Sequence, residues 1–270
     1  MTETFFEADE QQAIDQYLQQ GFVSFELDAT LLDSLRERLF TGARSLLDLP
    51  ADLSVDAFFD QIHTWVPVAD LNRVRLGFIR HLNGDPSVRP LLYRLAKQPL
   101  GWIVGNELAM QRSLNLSIQF PKDASSLLPL HSDVWSGNSP YEVVFWLPLV
   151  DCYATKSMYV LPKPQTDAVL ADFGRYADLS AEAFFQAIKA DVVWMEVPRG
   201  HGLIFWHGLI HGNRINEEND TRWSMNTRFK SLLSPYGTKE LGESFLPITL
   251  RPATRFGYAY RKPSIHKRES

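Results

Sequence analysis

The sequence predicts an α+β protein in which an N-terminal helical layer precedes a core of antiparallel strands. Apolar residues recur at helical spacing from about residue 8 to about residue 105. From about residue 110 they alternate with polar residues, in short segments rich in β-branched and aromatic residues that Pro and Gly separate. Such a series of strands is typical of a jelly roll or an antiparallel barrel.

Four helices are predicted in the first part of the chain. The second one carries Leu31, Leu35 and Leu39 at helical spacing. The first one ends at Gly21, where the short strand GFVSFEL begins. The predicted helices span residues 8–20, 28–48, 54–65 and 85–98, and a further helix is predicted at 179–190 as an insertion among the strands.

The first strand of the predicted core, RSLNLSIQF, has one apolar face and one face that is polar but uncharged. The polar face carries Ser113, Asn115, Ser117 and Gln119. Neutral hydrogen-bonding side chains suit the inner wall of a ligand cavity, and an edge strand on the surface is the equal alternative. Further strands are predicted at 141–151, 157–162, 192–198, 202–206 and 221–233.

These segments predict one domain over residues 1–270. Its helical scaffold would cover about 1–108, the strand core about 109–235 and a C-terminal extension about 236–270.

Composition excludes several classes of function. The 27 basic and 32 acidic residues give a net charge of −5, which disfavours a nucleic-acid partner. The acidic N-terminus lacks the features of a signal peptide, and no apolar segment approaches the roughly 18 residues of a membrane span. We therefore expect a cytoplasmic protein. Cys152 is the only cysteine, so an intramolecular disulfide and a thiolate zinc site are excluded.

Two segments carry residues suited to a metal site. His131 and Asp133 stand one residue apart in LLPLHSDVWSG, and GHGLIFWHGLIHG supplies His201, His207 and His211. Any one of these histidines, taken alone, is more often structural. Two histidines and one carboxylate on neighbouring strands, however, form the facial triad that holds non-haem Fe(II) and leaves coordination positions open.

Arg222 and Ser224 lie two positions apart in a predicted strand and therefore share one face. A guanidinium that grips a carboxylate through two hydrogen bonds, assisted by a hydroxyl, suits the distal acid of a small dicarboxylate.

The order HSD, then HG, then RWS resembles the Fe(II)/2-oxoglutarate-dependent dioxygenases over about residues 110–235. The segment EVVFWLPLVDCYATKSMYVLP resembles their phytanoyl-CoA dioxygenase-like branch. LPLHSDVWSG, LIHGNR, TRWSMNTRFKSLLSPYG and PITLRPATRFGYAY are similar to oxygenases of carbohydrate and polysaccharide biosynthesis clusters. The resemblance implies a double-stranded β-helix, the cupin-like jelly roll, as the core.

The resemblance also implies the cofactors and the site. Fe(II) would be held by His131, Asp133 and His211, and the distal carboxylate of the cosubstrate 2-oxoglutarate by Arg222 and Ser224. Asn115 and Gln119 lie where related enzymes place amides against the cosubstrate. With dioxygen, the implied reaction hydroxylates a sugar or sugar-derived intermediate and releases succinate and CO₂. Desaturation, epimerisation and cyclisation use the same triad, so these residues do not separate them.

Three further residues are candidates for contact with the substrate. Trp135 could stack on a sugar ring or pack in the core. His207 would support the metal ligands or face the substrate, and Arg228 would meet an anionic substrate or form a surface salt bridge.

Two other functions fit the predicted fold. One is a cupin-type metalloenzyme without an oxo-acid cosubstrate, and the other is a non-catalytic jelly-roll module that binds carbohydrate. In each case the expected partner is a small molecule, and apolar patches of the helical layer could support a homodimer.

Overall fold

Helices occupy most of the first hundred residues. The computed structural model describes residues 5–262, so the end of the predicted C-terminal extension, 263–270, lies outside the described residues. All four predicted helices are confirmed. The helices and strand of this part are α1 (Ala8–Gln20), β1 (Phe22–Glu26), α2 (Ala29–Leu46), α3 (Val55–Gln61), α4 (Val68–Gly84) and α5 (Val88–Ile103).

Local signals explain where these helices begin and end. The Asp28 side chain accepts a hydrogen bond from Leu31 N at 3.0 Å, and the Ser54 side chain accepts one from Ala57 N at 3.2 Å. Such caps satisfy backbone donors that the first helical turn leaves free, and each contributes about 1 kcal/mol. Gly21 ends α1 with a φ of 81°, in the left-handed region that glycine adopts without strain.

The strands of the second part form two antiparallel sheets. Their ranges are β2 (Leu108–Gln111), β3 (Asn115–Gln119), β4 (Glu142–Pro148), β5 (Tyr159–Val160), β6 (Val193–Trp194), β7 (His201–Trp206), β8 (His211–Gly212), β9 (Arg222–Ser231) and β10 (Phe245–Pro247). The larger sheet has seven strands in the order β1-β7-β4-β9-β2-β10, and β3 also pairs with β9. The smaller sheet has the order β6-β5-β8.

Two predicted strands are much shorter in the structure. The predicted strand 157–162 is regular only over the two residues of β5, and the predicted strand 192–198 only over the two residues of β6. Pro162 has no N–H to donate to a strand partner, and it occupies the position just before the helix α6 (Lys163–Ala171). The remaining helices are α7 (Ala181–Ile188), within the predicted 179–190, and α8 (Pro252–Ala259).

One hydrophobic core joins the helices α2–α5 to the larger sheet. At its centre the fully buried ring of Trp223, on β9, lies 5.5 Å from Phe58, 5.0 Å from Phe59 and 5.5 Å from Phe78 between ring centroids. Because side chains alternate along a strand, burying Trp223 against the helices turns Arg222 and Ser224 to the opposite face of the sheet. Across residues 5–262, no helix combines the length and hydrophobicity that a bilayer span requires.

Candidate metal centre and cavity

A cavity of about 520 Å³ lies on the face of β9 that is opposite the helices. Alternate residues of β9 line it, namely Arg222, Ser224, Asn226 and Arg228. On the paired strand β3, Asn115 and Ser117 line it as well. The polar face of RSLNLSIQF is therefore an inner wall of the cavity at these two positions, although β3 pairs with β9 alone and is an edge strand of the sheet.

The structure brings His131, Asp133 and His211 together at this cavity. Their potential ligand atoms all lie within 4.8 Å of one another. His131 and His211 exchange two backbone hydrogen bonds, at 2.9 and 2.8 Å, which sets their side chains next to each other. Asp133 then begins a short 3₁₀ helix, Asp133–Ser136. The predicted convergence of two imidazoles and one carboxylate is thus present.

Backbone carbonyls fix the proton positions of both histidines. His131 Nδ1 lies 2.8 Å from the carbonyl oxygen of Pro129, and His211 Nδ1 lies 2.9 Å from that of Leu209. A carbonyl only accepts, so each Nδ1 donates a proton and each Nε2 keeps its lone pair. The two lone pairs are what a divalent metal would bind.

The ionisation states also suit a metal. Burial, reinforced by the neighbouring His131, lowers the pKa of His211 to about 4. Burial opposes ionisation of Asp133, but a hydrogen bond from His207 and the charge of Arg228 outweigh it and hold the pKa of this carboxyl well below its usual range. Near neutral pH the cluster therefore offers an uncharged His211 and an ionised Asp133.

Other side chains hold Asp133 in place. Arg228 Nη2 donates to Oδ1 at 2.9 Å, and His207 Nε2 lies 2.9 Å from Oδ2. On the other side of the His207 ring, Nδ1 lies 3.2 Å from Oε2 of the buried Glu142. His207 is 0% exposed and does not line the cavity, which corrects the predicted contact with substrate. Its ring instead lies between two carboxylates.

Arg228 does line the cavity, but its guanidinium is already engaged. Besides the bond to Asp133, its Nη1 donates to Gln111 Oε1 at 3.2 Å, and its Nε lies 2.7 Å from His207 Nε2. The predicted alternative of a salt bridge is present, to Asp133, but it is mostly buried and does not lie on the surface. Direct binding of an anionic substrate would require these bonds to break.

Arg222 is a buried cation without an anionic partner in the described part of the chain. It is 3% exposed, and it donates to the Ser157 carbonyl at 3.0 Å and to Ser117 Oγ at 2.8 Å. Its Nε has no hydrogen-bond partner. Burial lowers the pKa of this guanidinium. A buried charge without a counter-ion is costly, so this arrangement fits an anion that enters the cavity from outside the protein.

Two predicted site residues lie elsewhere. Gln119 is fully buried behind the wall, and its Nε2 donates to the Arg214 carbonyl at 2.6 Å, so it does not line the cavity. Trp135 is 42% exposed and packs on Phe173 and Phe184. Residues three apart share a face of a 3₁₀ helix, so Asp133 and Ser136 face the cavity while Trp135 turns away.

Solved structures of non-haem oxygenases are similar to this chain over most of its length. The non-haem α-ketoglutarate-dependent carbocyclase SnoK from nogalamycin biosynthesis is 13% identical, with a TM-score of 0.56 over 91% of this chain and 97% of that one. HygX from Streptomyces hygroscopicus, solved with nickel and 2-oxoglutarate bound, is 12% identical, with a TM-score of 0.53 over 86% and 89%. The nickel complex of the non-haem monooxygenase ThoJ is 19% identical, with a TM-score of 0.52 over 88% and 84%.

The chain shares its fold with these oxygenases. Its mixture of helices and antiparallel sheets is therefore consistent with a cupin-like core. No protein-family model and no curated protein matches the sequence.

Several residues in or beside the cavity were not predicted as site residues. Asn226 could have been predicted, because it lies on the same face of β9 as Arg222 and Ser224, whereas Ser117 was placed on the polar strand face but not assigned to the site. Glu142 also gives a signal, as the single acid within an apolar strand. Asn138 and Lys239 lie in loops, where no periodicity reports which way a side chain points.

Proposed function

We propose that this chain is an Fe(II)- and 2-oxoglutarate-dependent oxygenase with a double-stranded β-helix core. The observation that carries the proposal is Arg222, a buried guanidinium with no anionic partner among residues 5–262, which lines the same cavity as the His131, Asp133 and His211 cluster. A metal site and an anion site in one cavity are what a metal-chelating dicarboxylate needs.

The three clustered residues fit a divalent metal that keeps open positions. His131 and His211 would bind through Nε2, since Nδ1 of each is committed to a backbone carbonyl. Asp133 would bind through its carboxylate. Imidazole and carboxylate ligands in a set of three suit Fe(II) better than a closed structural zinc site. When bound, Fe(II) and 2-oxoglutarate together supply the oxidising chemistry with dioxygen, releasing succinate and CO₂ as a substrate C–H bond is hydroxylated.

The protein's own task is to bind and orient. Arg222 would hold the distal carboxylate of 2-oxoglutarate, with the Ser224 and Ser117 hydroxyls beside it. Asn115 lies on the same wall. Arg228 and His207 would keep the Asp133 carboxylate directed at the metal.

The rest of the wall supports a polar organic substrate that is shielded from water. Apolar side chains of Val144, Trp146, Met158 and Phe205 exclude water from one part of the cavity. Amides and hydroxyls line another part, and they match the many hydroxyl groups of a sugar or sugar-derived intermediate. These groups are Ser126, Ser136, Asn138, Asn213 and Asn226. A cytoplasmic location and a homodimer stay predictions of the sequence.

Binding measurements on the purified chain test the proposal. Anaerobic addition of Fe(II) and 2-oxoglutarate should give the weak visible charge-transfer band of the chelate, and His211→Ala should abolish it. Arg222→Met should weaken 2-oxoglutarate binding by about 2–5 kcal/mol, because a buried charge-assisted pair is lost. Metal binding measured with Ni(II) alone should be unchanged in this variant.

Arg80→Met is the matched control, since Arg80 is an exposed arginine of α4. It should bind metal and 2-oxoglutarate as the unaltered chain does. If the chain binds metal but does not bind 2-oxoglutarate, the result would favour the cupin-type enzyme. Binding of neither would favour the carbohydrate-binding module and would contradict the proposal.

A further inference from the structure

The cavity wall carries two cationic residues beyond those assigned to the metal centre and the cosubstrate. Four cationic residues line it, Arg75, Arg222, Arg228 and Lys239, against the single acid Asp133. Arg228 is paired with Asp133, and Arg222 is the proposed partner of 2-oxoglutarate. Arg75 and Lys239 remain, in a protein whose net charge is −5. A local excess of cations on an acidic protein indicates an anionic ligand.

Of these two residues, only Arg75 makes hydrogen bonds to other described residues. Arg75 already donates to Asn72 Oδ1 at 2.7 Å and to the Leu116 carbonyl at 3.4 Å. Lys239 is half-buried, and its ammonium group makes no hydrogen bond or ion pair within residues 5–262. Burial and the neighbouring Arg228 lower the pKa of Lys239 by more than the charges of Glu142 and Asp133 raise it.

The loop around Lys239 is held against the turn that carries Asp133. Thr238 donates to the Gly137 carbonyl from its backbone N at 3.1 Å and from its Oγ1 at 3.0 Å. At Gly237 a Cβ would lie only 2.5 Å from the same carbonyl, so this close approach requires glycine. Lys239 therefore has a defined place beside the metal centre.

Lys239 is not part of the proposed 2-oxoglutarate clamp. It lies near Arg228, whose charge acts on it, while Arg222 lies six positions earlier on β9. In the proposed function, 2-oxoglutarate has its distal carboxylate at Arg222 and its other carboxylate on the metal, so neither is assigned to Lys239.

Within residues 5–262, two buried acceptors in the same cavity also lack partners. Asn138 is 5% exposed, its Nδ2 donates to the Asp133 carbonyl at 2.8 Å, and its Oδ1 has no hydrogen-bond partner in this part of the chain. Oδ1 of Asn226 is likewise buried without a partner among the described residues. Both residues line the cavity. A buried acceptor without a hydrogen bond costs free energy, so O–H or N–H groups of a ligand would stabilise these two oxygens.

We propose that the substrate is an acidic saccharide whose carboxylate or phosphate binds Lys239 and whose hydroxyls donate to Asn138 and Asn226. The inference rests on the proposed function, which assigns Arg222 to 2-oxoglutarate and so leaves the Lys239 end of the cavity to the substrate.

Calorimetric titration of the chain loaded with Ni(II) and 2-oxoglutarate tests this inference without turnover. The probes are glucuronate and glucose 6-phosphate, with glucose as the uncharged match. Each anionic probe should bind at least about tenfold more tightly than glucose, and Lys239→Met should remove most of that difference. Lys239→Arg should preserve it. The tighter of the two anionic probes identifies carboxylate or phosphate as the recognised group.

Lys97→Met serves as the control, because Lys97 is an exposed lysine on α5. Equal affinity for all three probes, or anion binding that Lys239→Met leaves intact, would overturn the inference. The same titrations of Arg222→Met in the absence of 2-oxoglutarate test the Lys239 anion site independently of the proposed cosubstrate site. If 2-oxoglutarate fails to bind the unaltered chain but glucuronate binding still depends on Lys239, the proposed cosubstrate is wrong and the anion site stands.

Discussion

Asp133 depends on neighbouring side chains for its orientation, unlike the two histidines beside it. His131 and His211 are oriented by their own backbone, through carbonyls two residues earlier in the chain. Asp133 is oriented by Arg228 and His207. Substitution of these two residues should therefore affect metal binding even though neither is a proposed ligand.

His207→Ala should lower the affinity for Ni(II) about 10- to 100-fold, because Asp133 loses one of its two supports. His207→Gln, which keeps a hydrogen-bonding side chain, should recover part of the loss. Equilibrium titration with Ni(II) measures the effect, and far-UV circular dichroism verifies folding.

His201→Ala is the matched control, since His201 begins β7 and does not line the cavity. If His207→Ala binds Ni(II) as tightly as the control does, His207 does not position Asp133.

The sequence permits prediction of those site residues that occur in short motifs. His131 and Asp133 are one residue apart, and Arg222 and Ser224 share a strand face, so local spacing alone places each pair. Lys239 and the Asp133 turn meet only through tertiary contacts, about which local pattern says nothing. Trp135 fails for a related reason, because the side-chain direction depends on a 3₁₀ helix that the sequence did not reveal.

Among the elements, β9 links the scaffold to the site. Trp223 packs on one face among aromatic rings of α3 and α4, and Arg222 and Ser224 line the cavity on the other. The position of the proposed cosubstrate clamp therefore depends on how firmly Trp223 is held.

Trp223→Ala should destabilise the metal-free chain by about 3–5 kcal/mol, because a fully buried indole leaves a large cavity among Phe58, Phe59 and Phe78. Unfolding in urea measures the loss. Trp135→Ala, at an exposed tryptophan, should cost much less. Similar losses in the two variants would contradict the assignment of Trp223 to the core.

Element prediction succeeds where periodicity is long and unbroken. The four N-terminal helices and the strand β9 follow from it. The shortened strands β5 and β6 do not, since prolines at 162 and 198 limit pairing that the apolar composition suggests. No predicted helix covers α4, although Leu71, Val74, Phe78 and Leu82 are buried in it at helical spacing.

At the scale of the whole molecule, the helical layer and the larger sheet share one core that also includes Cys152. Burial raises the pKa of this thiol to about 12. A thiol that is both inaccessible and protonated reacts only when the surrounding structure opens.

Cys152 should therefore label slowly with a thiol reagent in the native chain at pH 8 and rapidly in denaturant. Labelling should follow global unfolding and slow further when Ni(II) and 2-oxoglutarate are bound. A Cys152→Ala chain with an exposed cysteine from Ala190→Cys should label fast in both states. Fast native labelling of Cys152 would show that the core opens locally.

The two faces of β9 restrict how this protein can change during evolution. Inserting or deleting one residue between 222 and 228 would rotate every following side chain to the other side of the sheet. Charged groups would then enter the aromatic cluster, and the indole would enter the cavity, so folding and chemistry would fail together. Gains and losses of residues should therefore be confined to connecting loops such as 217–220.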